Sequence, residues 1–367
     1  GMRGALLSAL PHVGKEPILV VSGNDLIEED AYHTLVEHSK KCKDKGFLLA
    51  RTVSEYFPGG YLSLSGSRIT SIIEKPGADK TPSNLVNIVA HVHPNPQHLL
   101  DALQKTSSER DDGYEVALAT LFKETTYEAV PYTGVWTPVK YPWHLLTVME
   151  SLLPKGGEPK IHPSATIHQT AVIEGPVMIE EGVRVMPHAS IIGPAYIGRQ
   201  SVIANNALVR GSSIGKGCVV GYSTEICRSI LAEKVWTHMN YVGDSILGRN
   251  ISLGGGTMTG NVRLDERTIG VVVQEQIIPT GRQKFGAVIG DGVRTGIHTS
   301  INPGICIGKN TLIASAVRIE KNIPDQSFVK FDATSTIVVR PNIAPSLQER
   351  DVDPTTFHER NASGKMR

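Results

Sequence analysis

A six-residue repeat constrains this chain more than any other feature. From Ile161 onward the sequence reads IHPSAT, IHQTAV, IEGPVM, IEEGVR, VMPHAS, IIGPAY, IGRQSV, IANNAL, with an aliphatic residue opening every unit. A six-residue unit holds one short strand and a turn, and three units close a triangular coil, so we predict a parallel β-helix. Aliphatic residues one coil apart should stack along its inner edges. The first edge carries Ile161, Ile179 and Ile197, and the second carries Ile167, Val185 and Ile203.

Length and composition exclude several other classes of protein. A chain of 367 residues is long enough for two domains, and a net charge of +1 without a basic stripe argues against nucleic-acid binding. The four cysteines lack CxxC spacing, so we expect neither a zinc ribbon nor a disulfide framework, and a reducing cytoplasm is the simplest location. Neither a signal peptide nor a membrane-spanning apolar run is evident, so we expect no membrane partner.

The pattern before the repeat is α/β. Buried-strand runs such as PILVVSG alternate with segments of helical spacing such as residues 24–42. We predict a first domain over residues 1–153, a glycine- and proline-rich linker over 154–160 and the β-helix over 161–340. Residues 341–367 are polar with few aliphatic side chains, and we predict a disordered tail there.

Four segments of the first domain carry a family resemblance. The segments VVSGND, IIEKPG and NLVNIV, with the pattern W-x-x-V-x-x-P-W-x-L-L from Trp136 to Leu146, resemble the sugar-1-phosphate nucleotidylyltransferases. That family joins a sugar phosphate to a nucleoside triphosphate with the help of Mg²⁺. The resemblance implies a Rossmann-like α/β fold for this domain.

The same resemblance assigns roles to individual residues. It places Glu74, Lys75 and Asn87 at the sugar, and it makes Asp25 or its neighbour Asn24 the candidate ligand of Mg²⁺. Mg²⁺ is therefore expected only if this domain is active.

Two departures from the family pattern bear on that activity. The glycine-rich loop that clamps the triphosphate is expected ahead of Gly1, so the resemblance implies a truncated domain. Such a loop supplies backbone N–H donors and positive charge to the phosphates. Pro138 stands where the second metal-binding aspartate is expected, and proline has no side-chain acceptor for a metal.

The repeat is interrupted between Thr268 and Lys284, and a long excursion from a regular coil is typical of an active-site loop. Just before it lies the motif H-x-x-Y-x-G-D, which begins at His238. This region resembles the archaeal-type bifunctional UDP-N-acetylglucosamine pyrophosphorylases and glucosamine-1-phosphate N-acetyltransferases, which join the same two domains in the same order. The resemblance implies a left-handed β-helix, a homotrimer, and acetyl-CoA and an aminosugar phosphate as substrates.

The resemblance also identifies a candidate general base and its neighbours. His238 matches the histidine that takes a proton from the sugar amine, a task suited to an unperturbed pKa near 6.5. A second phosphate-binding lysine of the family falls near Cys227, and the adjacent Arg228 is its candidate substitute. The resemblance further places substrate-binding side chains at Arg210, Tyr241, Asn261 and Lys284, and oxyanion or coenzyme-binding backbone N–H groups at Gly255 and Gly256.

Three functions remain open from the sequence. The leading hypothesis is N-acetylation of glucosamine 1-phosphate or a related aminosugar phosphate by acetyl-CoA. The first alternative is a sugar-1-phosphate nucleotidylyltransferase that uses a nucleoside triphosphate, which requires the upstream glycine-rich unit. The second is a non-catalytic, trimeric scaffold that binds sugar nucleotides.

Overall fold

A computed structural model describes residues 1–331 and 337–341. The chain divides into two compact units, Gly1–Lys140 and Tyr141–Arg367, which we call unit 1 and unit 2. The tail predicted over 341–367 lies, apart from Pro341, outside the described residues. Within the described residues, none of the helices is both long and apolar enough to cross a membrane.

Unit 1 alternates helices and strands, as its sequence predicts. Its α-helices are α1 (Met2–Ala9), α2 (Glu29–Lys41), α3 (Pro96–Lys105) and α4 (Gly113–Glu124), with 3-10 turns at Leu10–His12 and Ala78–Lys80. Its strands are β1 (Ile18–Val21), β2 (Asp25–Ile27), β3 (Gly46–Thr52), β4 (Gly60–Ser65), β5 (Arg68–Glu74), β6 (Leu85–His93), β7 (Tyr127–Pro131) and β8 (Trp136–Pro138).

Six of these strands form one mixed sheet in the order β1-β6-β3-β7-β5-β4. β3 and β7 are parallel, whereas the other pairs are antiparallel. Apolar side chains from α3 and α4 pack in one core cluster of the unit, while those from α2 pack in another. Strands covered on both faces read as continuous apolar runs, as β3 does. The predicted α/β fold of this domain is confirmed.

Unit 2 is a three-sided parallel β-helix of about nine coils, consistent with the predicted left-handed β-helix. Face 1 consists of Lys160–Ile161, Val177–Ile179, Ala195–Ile197, Ser213–Ile214, Ile230–Leu231, Ile246–Leu247, Ala287–Ile289 and Ile305–Ile307. Face 2 consists of Thr166–Ile167, Arg184–Val185, Val202–Ile203, Val219–Val220, Arg294–Thr295, Leu312–Ile313 and Ser327–Phe331, with bridges at Trp236 and Ser252 and an antiparallel end strand Ile337–Pro341. Face 3 consists of Val172–Glu174, Ser190–Ile192, Leu208–Arg210, Glu225–Cys227, Tyr241–Gly243, Met258–Thr259, Ser300–Ile301 and Arg318–Ile319.

The aliphatic ladders predicted from the repeat are confirmed. Ile179 pairs with Ile161 and with Ile197, and Val185 pairs with Ile167 and Ile203. Apart from the exposed Ile161, these side chains join the core of the β-helix, where stacked aliphatic residues fill the space between the faces. Since each residue pairs with its equivalent one coil away, the core of every coil is completed by its neighbours.

Three coils in the middle of the β-helix are shorter than a strict six-residue period predicts. Ile197 pairs with Ile214, Ile214 with Leu231, and Leu231 with Leu247, so these coils have 17, 17 and 16 residues. Positive φ angles at corner residues such as His188 (60°) let the chain turn between faces. The face on which a side chain lies therefore follows from the strand pairing between coils and cannot be counted from the six-residue period.

The predicted excursion is an antiparallel hairpin, Gly270–Val273 with Gln276–Pro279. Its apolar residues Ile269 and Val271 share a buried cluster with the last helix, α5 (His144–Leu152). Arg282, just after the hairpin, donates a hydrogen bond to Glu150 on α5 at 2.5 Å. α5 is thus part of unit 2, so the division falls before residue 141 and not after the predicted residue 153, because the helix buries its apolar face against the excursion.

The ladder on face 1 contains a matched pair for a stability test. Ile197 is fully buried, whereas Ile161 in the first coil is 43 % exposed. We expect Ile197→Ala to lower the free energy of unfolding by about 2–5 kcal/mol, because it removes apolar contacts and leaves a cavity. We expect Ile161→Ala to cost about 1 kcal/mol or less, because water already reaches that side chain. Urea denaturation followed by far-UV circular dichroism measures both, and equal losses would contradict the ladder.

Candidate functional site

Four polar side chains meet at the end of the fifth coil on face 3. The buried Asp244 follows the strand Tyr241–Gly243 directly. Asn261, shortly before the excursion, donates from Nδ2 to Asp244 Oδ2 at 2.5 Å and to the Tyr241 hydroxyl at 3.1 Å. Arg228, one coil earlier, donates from Nε and Nη2 to the two oxygens of Asp244, both at 2.7 Å. We call Arg228, Tyr241, Asp244 and Asn261 the face 3 network.

Steric crowding explains why the H-x-x-Y-x-G-D motif has a glycine. A Cβ atom on Gly243 would lie 2.5 Å from the Tyr241 hydroxyl and 2.7 Å from Asn261 Nδ2. Any side chain here would therefore separate two members of the face 3 network. Burial raises the pKa of Tyr241, so its hydroxyl stays protonated and can donate a hydrogen bond to a ligand.

Both predicted phosphate-binding arginines are paired with carboxylates. The hydrogen bond to Asp244 raises the pKa of Arg228 further above its usual range. Arg210 donates from Nε at 2.9 Å and from Nη2 at 2.6 Å to one oxygen of Glu225. Cys227 is fully buried in the wall of the β-helix, while Arg228 (φ 46°) lies at the corner after that strand and points to the network. Of the two candidates at this position, Arg228 is the one that reaches the surface.

His238 lies at the corner between face 2 and face 3, in the same coil as Tyr241. Its ring is exposed and makes no hydrogen bond to a residue of the described ranges, so both ring nitrogens are available to a ligand. His238 lines a groove of about 400 Å³ with Trp236, Ser252 and Tyr222. The structure does not join His238 by a hydrogen bond to the face 3 network.

The prediction for the backbone of Gly256 is wrong. Its N–H donates to the Met239 carbonyl at 3.0 Å, so it is not available as an oxyanion donor. Gly256 is required here for another reason: its φ is +75°, and a Cβ atom would lie 2.6 Å from His298 Nδ1. The Gly255 N–H has no hydrogen-bond acceptor within the described part of the chain, and an added Cβ at Gly255 would lie 3.7 Å from His238 Cδ2. Gly255 remains the candidate donor.

Lys284 returns the chain from the excursion to the β-helix. It forms an antiparallel bridge with Val262, and the next residue, Phe285, donates its N–H to the Asn261 carbonyl at 3.0 Å. The Lys284 side chain is exposed, and it makes no hydrogen bond or ion pair with the face 3 network, all of which lies in the described residues. Within the described residues, Phe285 at the end of the excursion bonds Asn261, and no hydrogen bond joins the excursion to His238.

The residues predicted for the sugar site of the first domain do come together. Asp25, Asn24, Glu74, Lys75 and Asn87 all line one cavity of about 780 Å³ in unit 1. Glu74 and Lys75 form an ion pair across 3.1 Å, with Lys75 at a φ of 44°. β2 and β8 form the far wall, and Asp25 accepts a hydrogen bond from Trp136 Nε1 at 3.2 Å.

The cavity in unit 1 does not contain a ready metal site. Pro138 is in register with Asp25 across the β2–β8 pair, so the predicted second metal position carries no acceptor side chain. Burial raises the pKa of Asp25, which opposes a charged ligand role. Throughout the described residues, His, Cys, Asp and Glu side chains do not gather in any group of three or more that could hold a metal ion.

Two features of this cavity were not assigned a role from the sequence. Glu115 on α4 lines it, and burial raises the pKa of that carboxyl from 4.5 to about 7. Behind Asn87, His91 and His93 are fully buried, and burial lowers the pKa of both imidazoles, that of His93 to about 3, so both are neutral. The alternation of the two histidines along β6 was visible in the sequence, but their tyrosine partners come from distant elements.

Comparison with known proteins places both units in one family. Residues 156–278 match the family model described as the GMPPB C-terminal domain. A bifunctional protein GlmU from Methanococcus maripaludis is 37 % identical over 341 residues, which cover 90 % of this chain and 78 % of that protein. A bifunctional sugar-1-phosphate nucleotidylyltransferase/acetyltransferase from Sulfurisphaera tokodaii is 31 % identical over 272 residues, which cover 72 % of this chain and 65 % of that protein.

A similarity to solved structures is weaker. A UDP-glucose pyrophosphorylase from Acinetobacter baumannii is 18 % identical to this chain, with a TM-score of 0.37. The alignment covers 42 % of this chain and 56 % of that protein. The TM-score is too low for this match to define the fold by itself.

The Arg228–Asp244 pair provides a test of the face 3 network. Asp244→Asn leaves the Arg228 charge without its partner while keeping the side-chain shape. Because Arg228 is 32 % exposed, we expect a loss of about 1–3 kcal/mol in the free energy of unfolding, less than for a fully buried pair. The control is Asp265→Asn, which breaks the exposed pair with Arg263 and should leave the free energy of unfolding almost unchanged, because solvent screens an exposed ion pair. Similar losses from both variants in urea denaturation would contradict a structural role for Asp244.

The raised pKa of Glu115 predicts a pH dependence of stability. Between pH 4.5 and about 7 the unfolded state releases this proton while the folded state retains it. Stability due to Glu115 therefore falls as pH rises through that window. We expect Glu115→Gln to match wild type below pH 4.5 and to be more stable by about 1–3 kcal/mol above pH 7. The buried histidines give stability the opposite pH dependence, but they are present in both proteins, so their effect cancels in the difference between variant and wild type. If that difference does not change with pH, the raised pKa of Glu115 is contradicted.

Proposed function

Because this chain belongs to the family of bifunctional GlmU proteins, which are nucleotidyl- and acetyltransferases, we propose that unit 2 transfers an acetyl group from acetyl-CoA to the amine of glucosamine 1-phosphate or a related aminosugar phosphate. The observation that carries this proposal is the face 3 network. It holds Tyr241 and Asn261, two predicted sugar-binding residues from separate coils, 3.1 Å apart and one corner away from His238.

His238 is the proposed general base. Its ring is exposed beside the groove on face 2, and the described residues leave both nitrogens unbonded, so it can accept a proton from a bound amine. The amine nitrogen then forms a bond to the thioester carbonyl carbon, the carbon–sulfur bond breaks, and the coenzyme leaves as its thiol after taking up the proton. The Gly255 N–H is the proposed donor to the carbonyl oxygen, where negative charge develops.

The sugar phosphate is proposed to bind along face 3. Arg228 uses Nε and Nη2 to hold Asp244, which leaves the Nη1 donors of its guanidinium for a phosphate. Arg210 is held by Glu225 in the same manner, and Lys284 supplies a mobile positive charge from the excursion. Prior pairing fixes each guanidinium in place before the substrate arrives, so less side-chain entropy is lost on binding.

A homotrimer is part of the proposal. Leu264, shortly before the excursion, and Ile277, within it, are fully and 73 % exposed in the single chain. A closed assembly of three copies would cover such side chains and let one copy complete the site of the next. Sedimentation equilibrium tests this part independently of activity.

The base assignment can be tested with two histidine variants. We expect His238→Ala to lower kcat for acetyl transfer by about 10²–10⁴-fold, the usual contribution of a general base. The matched control is His188→Ala, because His188 is also exposed at a corner of the β-helix and its loss should leave kcat unchanged. Thiol release from acetyl-CoA in the presence of glucosamine 1-phosphate measures both rates.

Two results would reject the proposal in different ways. Equal rates for the His238 variant and wild type would show that His238 is not the general base. An absence of acetyl transfer to any hexosamine phosphate, with binding of a sugar nucleotide intact, would favour the non-catalytic scaffold.

Nucleotidylyl transfer by unit 1 is the second candidate function. It is supported by the cavity that gathers Asp25, Glu74, Lys75 and Asn87. Pro138 opposite Asp25 argues against a metal-assisted reaction in this chain. Pyrophosphate release from UTP and N-acetylglucosamine 1-phosphate with Mg²⁺ distinguishes a catalytic site from a binding site, since only the former releases pyrophosphate.

A further inference from the structure

The buried amide of Asn240 joins the two turns that carry the proposed catalytic groups of unit 2. Asn240 is 3 % exposed and lies at the corner between face 2 and face 3. Its Oδ1 accepts a hydrogen bond from the His238 N–H at 2.5 Å. Its Nδ2 donates to the carbonyls of Gly254 at 2.8 Å and of Thr257 at 3.1 Å, one coil further on. One side chain thus links the corner of His238 to the turn that contains Gly255.

The partners of Asn240 determine which atom of its amide is the oxygen. A backbone N–H needs an acceptor, whereas two carbonyl oxygens need donors. The amide oxygen must therefore face the His238 N–H, and the NH₂ group must face the carbonyls of the next coil. The reverse orientation would place donor against donor and acceptor against acceptor, so the amide has a single orientation.

The bond from Asn240 to Gly254 sets the direction of the Gly255 N–H. The peptide bond between the two glycines is trans, so the carbonyl of Gly254 and the N–H of Gly255 point in opposite directions. Asn240 Nδ2 and the Thr257 N–H hold that carbonyl, at 2.8 and 3.1 Å. The Gly255 N–H therefore points away from the buried amide, where no described residue accepts a hydrogen bond from it.

The turn needs such a restraint, because residues 254, 255 and 256 are all glycine and glycine has the largest backbone freedom. The peptide between Gly255 and Gly256 is held from both sides by backbone hydrogen bonds to the neighbouring coils. Among the hydrogen bonds of the described residues, the peptide between Gly254 and Gly255 is joined to the preceding coil only by the Asn240 side chain. This amide is thus the external restraint on the direction of the proposed oxyanion donor.

The other coils show that this corner does not need an amide for its own stability. Strand pairing places Asn240 in one column with Ala189, Ala207 and Thr224, each directly before a strand of face 3. These three residues are buried, and the N–H of each closes its turn by a hydrogen bond to the carbonyl three residues earlier. An alanine completes the corner in two of these coils, whereas the asparagine stands in the coil of His238.

We propose that Asn240 is a positioning residue for acetyl transfer: its amide holds the Gly255 N–H toward the carbonyl oxygen of the thioester and fixes the backbone of His238 at the same time. Asn240 is buried and acts only through these two groups. A donor stabilises the developing oxyanion best when its direction is set before the reaction. This role rests on the proposed acetyl transfer by unit 2.

Two variants separate the acceptor of Asn240 from its donors. Asn240→Ala removes all three hydrogen bonds and introduces the residue that the regular coils carry. Asn240→Asp keeps an acceptor for the His238 N–H and loses both donors. We expect each variant to lower kcat by about 10–100-fold, as a small misplacement of a catalytic group does, with KM for both substrates within about twofold of wild type. Thiol release from acetyl-CoA with glucosamine 1-phosphate measures both constants, at a temperature where circular dichroism shows folded protein.

Ser201→Ala is the matched control. Ser201 is fully buried directly before a strand of face 2, and its hydroxyl also joins successive coils. It donates to the Gly215 carbonyl at 2.8 Å and accepts from the Cys218 N–H at 3.0 Å. We expect this variant to unfold at a lower urea concentration than wild type, as Asn240→Ala does, and to keep the wild-type kcat. An equal fall of kcat in Ser201→Ala would assign the loss to general loosening of the β-helix and overturn the proposal.

Amide hydrogen exchange tests the geometry without a substrate. Residue-resolved mass spectrometry of the wild type should find fast exchange at Gly255 between slowly exchanging N–H groups at Gly254 and Gly256, both of which are bonded. In Asn240→Ala, exchange at Gly256 and Thr257 should rise by about tenfold or more, because the turn opens more often. Slow exchange at Gly255 in wild type, or an unchanged turn in Asn240→Ala, would overturn the proposal.

The positioning role and the proposed acetyl transfer fail in different ways. If wild type acetylates glucosamine 1-phosphate and both Asn240 variants keep its kcat, the positioning role is overturned and acetyl transfer stands. If wild type transfers no acetyl group to any hexosamine phosphate, both are overturned, whatever the exchange rates of the turn.

Discussion

Parallel pairing between successive coils is the constraint on which unit 2 depends. Each strand is too short to be stable alone, and its aliphatic side chain is buried only because its equivalents lie above and below it. This pairing also determines which polar residues meet on the outside. Glu225 and Tyr241 are neighbours because their strands are in register, and Asp244 reaches Arg228 because both follow the ends of paired strands. The surface chemistry is therefore a consequence of the core.

The face 3 network shows how such a surface holds charges before a substrate arrives. Asp244 is almost fully buried, and it accepts three hydrogen bonds from Arg228 and Asn261. A buried carboxylate is stable only when its oxygens are satisfied in this way. The same contacts orient the donors that remain free on Arg228. Arg210 and Glu225 repeat the arrangement one coil earlier, which makes face 3 a row of neutralised pairs and not a patch of positive charge.

In unit 1, the buried polar side chains are satisfied by neutral groups. In its interior, hydrogen bonds join the rings of His91, His93, Tyr114 and Tyr127 without an ion pair, and His91 also bonds the Asn87 amide on the cavity wall. The cavity also contains Glu115 and Lys140, whose pKa values burial shifts toward neutrality, in opposite directions. Together with Pro138 opposite Asp25, these features make the cavity less charged than the predicted metal site would require.

The sequence by itself determined the two folds, because a six-residue aliphatic period and alternating buried strands and helices are local patterns. Short motifs also predicted that Asp25, Glu74, Lys75 and Asn87 lie close together, and all four line the unit 1 cavity. Only the tertiary structure decided the side-chain partners: the ion pair of Arg228 with Asp244, the occupied N–H of Gly256 and the tyrosine partner of His91. These contacts depend on coils of unequal length and on elements far apart in the chain, and no local period encodes such distances.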